Sequence, residues 1–334
     1  FMLTRYEEVV KPDRDEHDRF PATSSLAYQE AFLERPIINE YLEILWFYLQ
    51  RLWPGITRKK RLFRIFPTHD VDIPYDYLLR PFWKILLRVG ADLFRRKDPI
   101  LGIKNFSNWL RVNITGRNDP FDTFDWIMNQ SETAGLKSSF NFMTGGNTQF
   151  DYNYPVENSN IQRLLKNIIE RGHEVGFHPS YSAALEKELW KKEFLRLKRS
   201  LKGYKIKGGR HHFLGFRTPL TWRFWMENGL EYDSTLVFAD RAGFRCGTCY
   251  EYRTFDLEKR KAMSLHERPL IVMDRTVIDE PYMGFGRTNN ALDYMIRLKN
   301  ICHTYKGDFV FLWHNHRFVN PKEREMYNAL LDLN

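Results

Sequence analysis

The sequence predicts an α/β protein: a barrel-like sheet of mainly parallel strands, preceded by a helical extension and interrupted early by a basic helical insertion. From residue 120 onward, short apolar runs alternate with longer segments of helical period, the pattern of parallel strands joined by helical crossovers. About seven such runs occur, enough for a barrel-like sheet. Acid and imidazole groups recur just past the runs, where parallel α/β folds gather their chemistry.

Residues 1–36 are polar and lack a clear period, so they read as an extended lead-in, the tail of an upstream domain. The chain begins at Phe1 rather than Met and reads as a fragment or a processed product, so a missing signal peptide carries no weight. Ile38, Leu42, Leu45, Leu49 and Leu52 follow helical spacing before Pro54-Gly55. They predict an amphipathic helix over 37–53, packed on the main body and too short and charged to span a bilayer. Residues 1–60 therefore form the extension and 61–334 the barrel. A first strand is expected at about 62–68.

An insertion follows at 76–117. Leu78, Leu79, Phe82, Ile85, Leu86, Val89 and Leu93 keep a helical period, with Arg80, Lys84, Arg88, Arg95, Arg96 and Lys97 between them. Such a helix either covers the barrel with its basic face in water or lies on a membrane surface, and base rates favour the first. Expected helices are 121–134, 157–171, 184–202, a short one after Pro219, and 290–304. Expected strands are 138–143, 174–178, 212–217, 230–237, 270–273 and 309–313.

With 334 residues the chain can bury one barrel-sized domain and an appendage. Its net charge of +9 favours anionic partners. Acidic glycans and phosphorylated lipid heads come ahead of nucleic acid, for which no motif is present. Cys246 and Cys249 have CxxC spacing without a second pair, and Cys302 stands alone; these read as buried thiols rather than a zinc or redox site. No cysteine-rich framework argues for an oxidising compartment, so the reading leans to the cytoplasm ahead of the envelope.

Four motifs carry the chemistry: Thr68-His69-Asp70-Val71-Asp72, His173-Glu174-Val175-Gly176-Phe177-His178, the Arg210–Arg217 segment, and Trp313-His314-Asn315-His316. Asp70 and Asp72, two residues apart on extended backbone, point to one side. One carboxylate can bind a metal while the other acts as a base. His17, His266 and His303 have no such setting and read as structural, and His316 as a surface neighbour.

In their order, these motifs resemble the polysaccharide deacetylases, carbohydrate esterase family 4, over residues 62–316. The resemblance implies a distorted (β/α)7-type barrel that removes N- or O-acetyl groups from sugars with a divalent metal, usually zinc. Asp70 would be the base and Asp72 a ligand, a spaced variant of the family's adjacent pair. Gly172-His173-Glu174-Val175-Gly176 matches the run that precedes the metal histidines, making His178 a ligand. The second histidine is expected at 182, where the chain has Ser182. His212 is the candidate substitute and His211 the alternative, with strand parity turning only one inward; His69 and Glu174 rank behind them. Arg217, in Phe216-Arg217-Thr218-Pro219, would pair with the base aspartate, and a backbone N–H beyond Pro219 would help hold the oxyanion. His314 would be the general acid, partnered by Asp274 with Glu280 as the alternative. Asp233 and Trp313 are candidate substrate contacts, although an Asx-turn is the commoner role of Asp233. Phe285-Gly286-Arg287 forms either a loop over the cleft or a surface turn.

The resulting expectation is metal-dependent deacetylation, N- ahead of O-, of an acetylated oligo- or polysaccharide of the cell surface, acidic ones included, or its precursor. The alternative is a glycan-binding protein that has lost hydrolysis, suggested by Ser182. Peripheral membrane contact through the insertion ranks third.

Overall fold

The computed structural model describes residues 1–116 and 118–332. Its centre is a mixed sheet, mostly parallel, of nine strands among those residues: β1 (Arg64–Val71), β2 (Ser139–Phe142), β3 (Glu174–Phe177), β4 (Gly208–Gly209), β5 (Tyr232–Asp233), β6 (Tyr252–Asp256), β7 (Lys261–Glu267), β8 (Val272–Met273) and β9 (Asp308–Leu312). Their order is β6-β7-β5-β4-β3-β2-β1-β9-β8, and only the β6–β7 pair is antiparallel. The ladder is not closed between β6 and β8, so the barrel-like sheet remains open.

Helices cover this sheet, and its central strands read as continuous apolar runs for that reason. Every residue of β2 and β9 is buried, and Phe140, Phe142, Val175, Phe177, Phe309 and Phe311 share one core. Register aligns the carboxyl ends: Asp70 lies opposite Asn141, Asn141 opposite Gly176, Phe177 opposite Gly209, and Thr68 opposite Leu312.

Two expected strands are displaced. Residues 212–217 form a turn, and the strand lies upstream at Gly208–Gly209. A Cβ on Gly209 would collide with the Phe177 carbonyl, and one on Gly208 with Tyr232. Only glycine permits this approach of β3, β4 and β5, and glycine's low strand propensity hides the strand. The 230–237 strand shrinks to Tyr232–Asp233, and the β6–β7 hairpin was not expected from the sequence. The three thiols are free and buried.

The first 36 residues are not an extended lead-in. Short helices at Tyr6–Val10 and Leu26–Gln29 fold against the barrel, and Met2, Phe20, Ala22, Ala27 and Leu33 pack with Phe238. A buried ion cluster locks them down. Arg5 pairs with Glu7 (2.9 Å) and Glu8 (2.8 Å), and Arg245 reaches Glu8 at 2.8 Å. By contrast, the helix Ile37–Leu52 packs less than expected: Asn39 is its buried residue, and Tyr41, Ile44, Leu45, Phe47, Tyr48 and Leu52 are exposed.

The expected insertion is a helical hairpin, Phe82–Gly90 running on through 95, then Pro99–Thr115; residue 117, its expected end, lies outside the described residues. Asp119 fastens its stem by accepting the backbone N–H groups of Asp76, Tyr77 and Leu78. The segment lays little of its apolar period on the barrel, with only Leu78 and Leu79, in the stem, packed against the main core. Of the seven period-setting residues only Ile85 is buried, whereas Phe82, Leu86 and Leu93 are exposed.

Burial alone would raise the Glu8 carboxyl, but Arg245 and Arg5 outweigh it and hold it below the usual carboxylate range. The stabilisation is therefore complete above the unfolded value of about 4.3 and is lost as pH falls through the lower folded value. Glu8→Gln leaves two buried guanidinium groups short of counter-charge and should cost about 3–5 kcal/mol. Urea unfolding between about pH 5 and 2 should show a flatter acid limb for this variant than for the parent.

Candidate metal centre and active site

The carboxyl ends of β1, β3, β4, β8 and β9 bring residues to one place. Asp70, near the end of β1, and Asp72, just beyond it, line the same small cavity of about 50 Å³ with His178, His211, His212 and His314. Arg19, Phe213, Leu214, Met273, Arg275 and Tyr282 complete its walls.

Asp72, His178 and His212 are all buried, with ligand atoms within 4.8 Å of one another. His178 Nδ1 sits 2.7 Å from the Arg210 carbonyl, and His212 Nε2 2.9 Å from the Phe150 carbonyl. A carbonyl only accepts, so each ring must donate its far N–H there. That fixes both neutral tautomers and leaves His178 Nε2 and His212 Nδ1 as bare lone pairs 3.1 Å apart. Both face Asp72 Oδ1, at 3.2 and 3.4 Å. This oxygen is buried without a hydrogen-bond partner. Two lone pairs and an orphaned carboxylate oxygen pointing at one spot repel unless a proton on one ring or a metal cation lies among them. The donors, two nitrogens and one oxygen, suit a divalent ion with an open position, and backbone carbonyls orient both rings from behind.

The electrostatics agree. Burial would raise Asp72, but His212, His178 and His314 hold it well below the carboxylate range. Burial lowers His178, yet Asp70 and Asp72 raise it on balance. Burial, helped by charge on His178, leaves His212 lowered. The pair thus accommodates one positive charge rather than two.

Asp70 Oδ1 accepts from Asn141 Nδ2 at 2.7 Å and Arg210 Nη1 at 3.0 Å. Both occupy the same oxygen, so Oδ2 is left toward the cavity. Arg210 is wholly buried, its other donors on Ser234. His314 Nδ1 lies 2.8 Å from Asp274 Oδ1, and the His314 backbone N–H donates to Oδ2 at 2.8 Å. Its Nε2 faces Asp72 Oδ2 at 3.6 Å. Burial opposes protonation of His314, but Asp274 outweighs it and raises the imidazole.

Several sequence assignments need correction. Arg217 does not reach Asp70; its exposed side chain pairs with Asp18 at 2.6 Å. Because β4 ends at Gly209, the arginine at that strand end is Arg210. Residues 217–221 do not line the cavity, so the expected oxyanion donor beyond Pro219 is not at the site. Asp233 is fully buried and accepts the Thr235 N–H and hydroxyl, the Asx-turn role. Trp313 is also fully buried, its indole N–H on Glu323, so neither can touch a sugar. His211 turns to Trp190, His69 sits between Trp313 O and the Tyr327 hydroxyl, and Glu174 bonds Tyr232. Arg287 pairs with Glu323, tying the 285–287 turn to the C-terminal helix. Ser182, in a short turn outside the donor cluster, leaves the third corner to His212.

Sequence reasoning missed Arg210, Asn141 and Arg19. The Gly208-Gly209 pair before Arg210 was the available signal for the first, and Gly176 for the second, since a Cβ there would strike Asn141. Arg19 comes from the N-terminal segment, braced by Asp15 at 2.8 Å and donating to the Phe213 carbonyl. No local pattern announces it.

Comparison with known proteins bears on both parts. A model of a family of unknown function, DUF7033, matches residues 1–54, the segment that supplies Arg19. No curated protein matches the chain. A solved structure described as a polysaccharide deacetylase from Mycobacterium smegmatis superposes with a TM-score of 0.51 at 16% identity, covering 83% of this chain and 85% of its own. The chain has a polysaccharide deacetylase-like fold. A second, described as a polysaccharide deacetylase from Pseudomonas aeruginosa PAO1, aligns over 84% of this chain and 85% of its own, at 14% identity and a TM-score of 0.45. In this deacetylase-like fold the Asp72, His178 and His212 cluster fits a metal site.

Calorimetric titration of the metal-stripped protein with Zn2+ should give a single site. Asp72→Ala, His178→Ala and His212→Ala should each weaken it by more than the roughly 10–100-fold that loss of an outer-shell partner costs. Ser182→Ala should leave it unchanged. Undiminished affinity in His212→Ala would remove that residue from the ligand set.

Proposed function

We propose that this protein is a metal-dependent deacetylase acting on an acetylated sugar of a cell-surface polysaccharide or its precursor. The observation that carries the reading is the convergence of a buried metal-donor set with a carboxylate and a carboxylate-backed imidazole around one cavity. A divalent cation held by Asp72, His178 and His212, zinc first by its donors, would supply Lewis acidity to a carbonyl oxygen and acidify water.

The chain's own groups do the rest. Asp70, fixed through Oδ1 by Asn141 and Arg210, uses Oδ2 to take a proton from the attacking water. Phe213 lines the cavity in a left-handed turn, and its backbone N–H is the candidate for holding the developing oxyanion. His314, with Nδ1–H on Asp274, turns Nε2 to the cavity and protonates the leaving atom.

That dedicated acid favours N- over O-deacetylation, because a basic amine cannot leave unprotonated whereas an alkoxide needs less help. Asp274 holds the tautomer this transfer requires and favours the imidazolium. With His212 at the third corner, Ser182 no longer argues for a binding-only protein.

Acetate release from a panel of N- and O-acetylated oligosaccharides by the zinc-loaded protein tests the reading. Asp70→Asn should lower kcat by roughly 10²–10⁴-fold, the range for loss of a general base. Arg217→Ala should leave turnover intact. No release from any substrate, or turnover indifferent to Asp70→Asn, would sink the hydrolytic reading and leave a glycan-binding protein.

A further inference from the structure

The hairpin of residues 82–115 has two apolar faces on each helix, and the fold uses only one. Ile85 and Val112 face inward and pack with Tyr77. On the first helix Phe82, Trp83, Leu86 and Leu87 form a second, solvent-facing stripe, with Leu87 65% exposed. At 100° per residue they span one arc of the helix, and Lys84 lies at its edge. On the second helix Ile100, Ile103, Leu110 and Ile114 form a matching outer stripe, flanked by Lys104 and Arg111, with Ile100 78% exposed. Phe94, near the tip that joins them, is 84% exposed. An exposed apolar area on this scale marks a contact surface rather than a solvated one.

Charge identifies the occupant. Of the hairpin's two carboxylates, Asp92 is buried on Asn105 and Arg96, and Asp98, exposed near the tip, caps the second helix by accepting the Leu101 N–H; in the stem, Asp76 is held by Arg80 and Arg88. Among the described residues, none forms an ion pair with Lys84, Lys104 or Arg111. A broad apolar face with a tryptophan, rimmed by cations that have no acidic partner, is the composition of a helix lying in the headgroup layer of an anionic bilayer. A second copy of this chain would bring the same cations against it. No helix among the described residues is long and apolar enough to cross a membrane.

We propose that the 82–115 hairpin is a membrane-surface anchor for anionic lipid. Its stem leaves the sheet directly after Asp72, from the end of the strands where the metal-donor cluster sits. Docking would therefore hold that end of the sheet beside the bilayer. This anchoring does not depend on the deacetylase reading.

Co-sedimentation of the full chain with vesicles tests it. Vesicles of phosphatidylcholine containing about one third phosphatidylglycerol should bind the protein, with loss at high salt, and pure phosphatidylcholine far less. Trp83→Ser/Leu87→Ser/Ile103→Ser should abolish binding. Lys84→Gln/Lys104→Gln/Arg111→Gln should weaken it by roughly five-fold per cation removed. Both variants change exposed positions, and unchanged Zn2+ titration and circular dichroism check their folding; should the first not fold, the second still gives the answer. Failure of the parent to bind either vesicle, or equal binding by parent and variants, overturns the proposal. So does a dimer that the serine substitutions dissolve in a parent that ignores lipid, because a second copy would then be the occupant.

Discussion

One guanidinium without access to water organises the candidate site. Arg210 is fully buried at the end of a two-residue strand, where an unpaired charge could not persist. Its side chain crosses to Asp70 on β1 and to Ser234 after β5, while its carbonyl receives the His178 ring from β3. Four strand ends are thereby held in one arrangement. The same residue that pairs with the carboxylate also sets the tautomer of a metal-donor imidazole. Removing it would disturb the proposed base and the donor cluster together.

The donor cluster follows the same principle of fixing protons from behind. Backbone carbonyls, which can only accept, hold the far N–H of both His178 and His212. Their bare nitrogens then face an orphaned oxygen of Asp72, a concentration of electron density that calls for a cation. The loop beyond His178 is steadied by Glu193, which accepts both the backbone N–H and the hydroxyl of Ser180. The N-terminal segment closes the arrangement with Arg19, so this segment forms a wall of the site as well as a brace on the barrel.

Much of this was legible in order and period. The alternation from residue 120 onward gave most helices and strands to within a few residues, from Phe124–Thr133 to Asp308–Leu312, but it misplaced the strand at Gly208–Gly209, overextended the one at Tyr232–Asp233 and missed the β6–β7 hairpin. The i, i+2 spacing of Asp70 and Asp72 placed both on one side of extended backbone, and both face the cavity. Arg217 misled because an Arg-x-Pro run resembles a motif whether or not a strand precedes it. The arginine that pairs with Asp70 follows two glycines, whose missing side chains conceal a strand. Trp313 and Asp233 misled in another way, since sequence places a residue near a strand end without saying whether water or a ligand can reach it.

The sequence by itself determined the fold class, the carboxyl-end location of the chemistry, and the candidacy of Asp70, Asp72, His178 and His314, because periodicity and local spacing are properties of contiguous residues. The tertiary structure decided which arginine meets Asp70, that His212 rather than His211 joins the donors, and that Arg19 reaches the cavity from far away in the chain. It also decided that the hairpin shows a second apolar face to solvent. Each of these depends on which surfaces meet across the sheet and which stay uncovered, and spacing along the chain does not encode that.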